Sequence, residues 1–287
     1  MKYHVLHETS YRYESPVALS QQLLHLTPRA LPWQAREQHA LAIEPVPTET
    51  GEREDYFGNP VTQILLAAPH EVLSVRAEST VTVQTRPAPP GGEPWEKVRD
   101  AARGDVEAAQ VLFESPHVEL FRDLSSYASP SFGRGRPVVA AARDLTRRIH
   151  ADFKFDPRAT SVSTPLREVM AKRHGVCQDF AHLMIGALRA LGLAARYVSG
   201  YILTNPPPGK PRLIGADASH AWVAVWCGRK ENEAGWAELD PTNDCLVEDE
   251  HITLAWGRDF SDVTPMRGVI LGGGDQELSV RVTVTPQ

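Results

Sequence analysis

Several things are scarce in this sequence, and each scarcity excludes a class. No apolar run approaches the roughly 20 residues a helix needs to cross a bilayer. The first residues, Met1 to His7, lack the uninterrupted apolar stretch of a signal peptide, so export is not expected. Lys and Arg number 30 against 36 Asp and Glu, a net charge of −6 with no basic cluster. A dedicated nucleic-acid binder needs a Lys/Arg footprint to displace counterions, so that partner is not expected either. Cysteine is rare and odd in number: three residues, at 177, 227 and 245. Three thiols make no disulfide framework and no two stand at metal-ligand spacing. The expectation is a reducing, cytoplasmic compartment with no metal and no cofactor. No internal repeat is visible. What remains is an ordinary globular composition, 42% hydrophobic and 23% charged over 287 residues, enough for one large domain or two smaller ones.

Residues 1 to about 86 read as antiparallel β. Thr80 to Thr85 alternates β-branched and polar residues, and Val61 to Leu66 and His39 to Ile43 are strand-like. Gly58-Asn59-Pro60 supplies turn chemistry between strands. Residues 87–94, rich in Pro and Gly, can continue neither strand nor helix and mark a linker. The remainder, 95–287, reads as a second domain of mixed character, so the fold class is α+β. Trp95 to Ala102 and Asp105 to Phe113 are short amphipathic helices. Pro137 stands at the first position of a helix through His150 with an apolar stripe of Val138, Val139, Ala142, Leu145 and Ile149. Thr164-Pro165 opens another. From Cys177 to Leu191, Phe180, Leu183, Met184, Ala187, Leu188 and Leu191 recur at helical spacing, and Gly192 stops the helix. Strands follow at 195–203, 220–227 and 235–240, with a proline-rich surface loop over 204–219. Residues 276–285 alternate as a last strand of this domain.

Cys177 sits where a loop becomes a helix. The free N–H groups and partial positive charge of a helix start favour a thiolate, the nucleophilic form, and can hold an oxyanion. A thiolate nucleophile needs a base, and the base an orienting group. His220 opens one strand and Asp240 closes the next, so an antiparallel hairpin makes them neighbours at one end of a sheet. Gln178 either lends its backbone N–H to the oxyanion or caps the helix. Tyr201 and Trp222 are candidates to line a substrate cleft, with core packing the alternative for Trp222. Asp179 opposes a thiolate and is expected to bond a specific Arg or loop N–H. His182 reads as a structural histidine. Cys227 faces away from His220 by strand parity and reads as core; Cys245 follows a turn and reads as incidental.

Gly-Val-Cys-Gln-Asp-Phe-Ala-His-Leu-Met at 175–184, Ala-Arg-Tyr-Val-Ser-Gly-Tyr at 195–201, Asp-Ala-Ser-His-Ala-Trp-Val at 217–223 and Leu-Asp-Pro-Thr-Asn at 239–243 resemble the bacterial transglutaminase-like, papain-like thiol family. Tyr3, His7, Tyr11-Arg12-Tyr13, Pro28-Arg29 and Asp55 to Asn59 resemble the β region that precedes its catalytic domain, and Asp262 to Gly268 its C-terminal signature. The resemblance implies a nucleophile at a helix N-terminus packed on an antiparallel sheet. It implies Cys177 as nucleophile, His220 as general base and acid, Asp240 as orienting group, and acyl transfer through a thioester. The substrate would be a peptide, a protein or an amide-bearing small molecule. Animal transglutaminases add β-barrel domains and calcium sites, and glycan-removing relatives add zinc-binding Cys pairs; neither is visible in this sequence. Hydrolysis is therefore expected ahead of transfer to an amine. Arylamine acetyltransferases share the Cys, His, Asp order but fit the local motifs less well. A scaffold of the same fold without turnover is the remaining reading.

Overall fold

The structure is a computed structural model that describes residues 1–89, 92–203, 219–230 and 233–287. The loop expected over 204–219, apart from Ser219, which opens a strand, lies outside the described residues, as do Pro90 and Gly91 of the linker.

The N-terminal third forms strands β1 (Lys2–Leu24), β2 (Gln34–Glu44), β3 (Glu49–Glu54), β4 (Pro60–Leu66) and β5 (His70–Val83). β1 is the spine. Its side chains alternate, so Tyr3, Val5, His7 and Thr9 are buried while their neighbours are not. Its first half pairs with β5 on one edge, and its second half pairs with β4.

Helices and short strands follow: α1 (Trp95–Ala102), α2 (Val106–Ala109), α3 (Arg122–Ala128), α4 (Val138–Asp152), β6 (Lys154–Phe155), α5 (Leu166–Lys172), β7 (His174–Gly175) and α6 (Cys177–Ala190). α1 matches its expected span. The helix expected over 105–113 shortens to α2, where Asp105 caps the start by accepting from the N–H groups of Glu107 and Ala108. Pro137 and Pro165 each sit one residue before the helix they were expected to open, at the N-cap. α6 is more than amphipathic: every residue from Asp179 to Arg189 is buried, so it is a central helix with no solvent face. Gly192, at φ +83°, ends it, with the Leu193 N–H bonded to the Leu188 carbonyl and the Gly192 N–H to that of Arg189.

The chain then builds a second antiparallel sheet from β8 (Ala195–Ile202), β9 (Ser219–Lys230), β10 (Glu233–Asp240), β11 (Cys245–Leu246) and β12 (His251–Gly257), in the order β11-β10-β9-β8-β12. A short α7 (Phe260–Val263) leads to β13 (Met266–Gly272) and β14 (Gln276–Pro286). These last strands pair with β1, not with the second sheet. The expected C-terminal strand therefore completes the N-terminal sheet instead of the catalytic domain. Val282 and Val284 explain this, because their alternation sets them against the buried side of β1 opposite His7 and Val5.

The two units share one core. Tyr3, Val5, Val81, Val83, Val282 and Val284 pack in the same apolar cluster as Leu183, Met184, Val223 and Leu239. Polar contacts set the register. The Gln34 side chain donates to the Thr253 carbonyl at 2.8 Å and accepts the Thr253 N–H at 2.7 Å. Asn59 does the same with Trp256, at 2.8 and 2.9 Å. Two side-chain amides thus satisfy the outer edge of β12, the terminal strand of the second sheet, where a neighbouring strand would otherwise add.

Candidate active site

Cys177 is the first residue of α6 and is partly buried. Asp179, two residues on, accepts the Val176 N–H at 2.8 Å and the Thr160 hydroxyl at 2.6 Å. Its carboxylate thus serves the N-cap and a loop, as the need for a specific donor suggested. Burial raises its pKa above the ordinary aspartate value, against the lowering effect of these two hydrogen bonds.

His220 stands near the start of β9, close enough to Cys177 for the thiol to act on its ionisation. Its Nε2 lies 2.7 Å from Oδ2 of Asp240, the last residue of β10. Burial pushes the imidazole pKa down, but the hydrogen bond to Asp240 and the proximity of Cys177, with the charges of both, outweigh it and raise the pKa to about 10. Asp240 is fully buried and its carboxyl group is held far below the ordinary range. Burial alone would raise it. The opposing effect comes from donors: His220, His251 and Asn243 all bond Oδ2, while the Thr242 and Asn243 N–H groups bond Oδ1 at 2.8 and 3.2 Å.

Asn243 and His251 did not stand out in the sequence. Asn243 Nδ2 donates to Asp240 Oδ2 at 2.7 Å, and His251 Nε2 lies 3.2 Å from the same oxygen. Asn243 had a signal: Asp-Pro-Thr-Asn is a turn that folds its Asn back on its Asp. His251 had none, because it arrives from β12, which β8 and β9 separate from β10 in the sheet. His220, Asp240 and His251 present ligand atoms within 4.8 Å of one another, a set able to hold a cation. In this arrangement both imidazoles meet the carboxylate at hydrogen-bond distance, and a metal would have to displace those protons.

The other candidates sit apart. Gln178 is on the first turn of α6, with Nε2 3.5 Å from the Val162 carbonyl. Tyr201 is buried, its hydroxyl 2.8 Å from His7 Nδ1. Trp222 is fully buried beside His220 and donates its indole N–H to Glu238 Oε2 at 2.6 Å. Its ring lies so close over Gly200 that a Cβ there would come within 2.5 Å of it. Neither Tyr201 nor Trp222 presents a free surface beside the thiol. His182 is buried, stacks on His117 and accepts the Phe260 N–H at 3.2 Å, a structural arrangement. Cys227 is buried in the core and Cys245 is partly buried in β11; burial pushes both thiols up to about 12.

A thiol at the start of a buried helix, with imidazole and carboxylate supplied by adjacent antiparallel strands, defines the papain-like class of thiol-enzyme folds. The chain belongs to the transglutaminase-like superfamily: residues 3–82 match the bacterial transglutaminase-like N-terminal region and residues 126–241 the superfamily itself. An uncharacterised protein of Mycobacterium tuberculosis (strain H37Rv) is 41% identical over 293 residues, covering 99% of this chain and 93% of that protein. A protein-glutamine gamma-glutamyltransferase of Pseudomonas aeruginosa is 31% identical over 127 residues, 38% of this chain and 18% of that protein. The crystal structure of a candidate cysteine protease from Cytophaga hutchinsonii shares the fold, with a TM-score of 0.78 at 21% identity over 99% of this chain and 90% of that one.

Proposed function

We propose that the protein is a thiol hydrolase of amide or peptide bonds, working through Cys177, His220 and Asp240. The observation that carries this is the position of His220, hydrogen-bonded to Asp240 and close enough to Cys177 for the thiol to help raise its pKa. The Cys177 sulfur attacks the amide carbonyl, and the C–N bond breaks as His220 passes a proton to the leaving amine. A thioester results. Water, deprotonated by His220, then attacks the thioester, and the sulfur leaves with the proton returned. Asp240 holds the imidazole in register and favours its charged form. The N–H groups at the start of α6, with that of Gln178 a candidate among them, face the developing oxyanion. The substrate is a peptide, a protein or an amide-bearing small molecule, and the compartment proposed is the cytoplasm.

Transfer to a primary amine instead of water is the second reading, favoured by the Pseudomonas aeruginosa gamma-glutamyltransferase relative. A Gln- or Asn-containing peptide offered with and without a primary amine separates the two. Ammonia release without an amine adduct is expected; an adduct in place of hydrolysis selects the transferase. No acyl-enzyme with any such peptide selects the non-catalytic scaffold.

A further inference from the structure

Beside the triad, on the sheet that carries it, lies a cluster the proposed chemistry does not use. Trp236 and Trp256 sandwich Arg196, their ring centroids 4.1 and 3.9 Å from its guanidinium carbon, and Arg29 covers the other side of Trp256 at 3.5 Å. Arg196 makes no hydrogen bond to any described group, and its Nε is buried without a partner. Burial pulls its guanidinium pKa down to about 9; Glu238 opposes this and Arg29 adds to it. Arg86 lies nearby over Trp33, with nine-tenths of its side chain buried. Its Nη1 is 2.7 Å from Glu238 Oε2, an ion pair by distance but without hydrogen-bond alignment, and its Nε has no acceptor among the described residues. Its Nη2 donates to the Thr253 hydroxyl at a long 3.3 Å.

Two buried or half-buried guanidinium groups therefore share one buried carboxylate. That carboxylate, Glu238, is already engaged by the Trp222 indole. The indole N–H groups of Trp33 and Trp236 are likewise buried without an acceptor among the described residues. Buried charge left uncompensated is costly, and protein interiors normally supply the counter-charge. Here a cavity of about 410 Å³ opens against these residues, lined by Trp33, Arg86, Arg196, Trp236, Glu238 and Val247, with the exposed Glu248 at its rim. It sits where the segment leaving the N-terminal sheet crosses the second sheet, a usual place for a ligand site.

We propose that this cavity binds a carboxylate carried on a flat apolar body. The carboxylate supplies the missing counter-charge to Arg196 and Arg86, whose planar forks match its two oxygens, and the body lies against Trp33 and Trp236. A free aromatic acid and the C-terminus of a peptide both offer this chemistry.

The test is a titration of the full chain with benzoate and with its uncharged analogue benzamide, followed by tryptophan fluorescence and calorimetry. Saturable benzoate binding is expected, with benzamide weaker by about tenfold or more. Arg196→Gln weakens benzoate by a similar factor. Glu238→Gln removes the competing carboxylate while keeping an acceptor for Trp222, and so tightens benzoate. That sign is opposite to the effect of a variant that merely loosens the fold, and it stands even where Arg196→Gln does not fold. Equal affinity for the two ligands, absence of saturation, or weaker binding to Glu238→Gln overturns the proposal. Prior alkylation of Cys177 leaves benzoate binding intact; its loss would assign the binding to the active site and overturn the proposal as well. A peptide ending in a Phe carboxylate that displaces benzoate, where its amidated form does not, identifies a peptide C-terminus as the source. Displacement by neither form leaves the free acid.

Discussion

The two sheets of this protein use the same antiparallel pairing to opposite ends. The N-terminal sheet is open to solvent over much of its last two strands: Val269 and Leu271 of β13 and Leu278 and Val280 at the start of β14 are all exposed. The second sheet is closed. β12 and most of β8 are buried along their length, with α6 against the sheet and the N-terminal unit over its outer edge. A sheet open on one face tolerates change there. A sheet closed by packing holds two imidazoles around one carboxylate within 3.2 Å. On this view the N-terminal unit belongs to the support of the candidate site, because it covers the edge strand that carries His251.

This contrast can be broken in several places. The largest effect is expected at the thiol: Cys177→Ala lowers turnover of any substrate by about 10³-fold or more without unfolding the chain, read by steady-state kinetics alongside circular dichroism. Next is Asp240→Asn, which keeps the shape but removes the charge, with turnover falling by roughly 10³-fold. The same variant tests the electrostatics. His220 is raised above its ordinary value of about 6.5, so its pairing stabilises the fold fully below that pH and the stabilisation is lost as pH rises through about 10. Asp240 acts in the opposite sense: its contribution is present above about pH 4 and is lost as pH falls. Thermal unfolding of the wild type should therefore fall in midpoint between about pH 7 and 10, and Asp240→Asn should flatten that slope. A slope unchanged in the variant would separate His220 from Asp240.

Stability comparisons between the sheets come next. Leu183→Ala, in the shared core, is expected to cost about 2–5 kcal/mol in chemical denaturation. Gln34→Ala removes both bonds to Thr253 and should cost about 1–3 kcal/mol, with activity falling alongside because β12 carries His251. Activity untouched by Gln34→Ala would confine the N-terminal unit to a passive role. At the small end, Val269→Ser on the open face should change stability by about 0.5 kcal/mol or less.

The parts of this arrangement that were legible in the sequence are those with local rules. The period of α6, its glycine stop, and the parity that turns Cys227 inward can all be read from neighbouring residues. His220 and Asp240 could be brought together from sequence because one hairpin joins their strands. The rest depends on distant pairings. β13 and β14 look like any alternating strands, and nothing local says that their partner is β1, at the other end of the chain. His251 and the Gln34 and Asn59 clamps come together only through sheet order, which alternation does not encode. Tyr201 and Trp222 have the residue types of a cleft wall, but strand register buries them against His7 and Gly200.

The most direct measurement is competitive alkylation with iodoacetamide at pH 7, the labelled thiol located by mass spectrometry. Cys177, beside the His220 imidazole, is predicted to label first and to lose its advantage in His220→Ala, while Cys227 and Cys245, both pushed up to about 12, stay unreacted in the folded protein. Labelling of Cys227 or Cys245 ahead of Cys177, or a Cys177 inert until the chain unfolds, would contradict a thiol enzyme built on this triad.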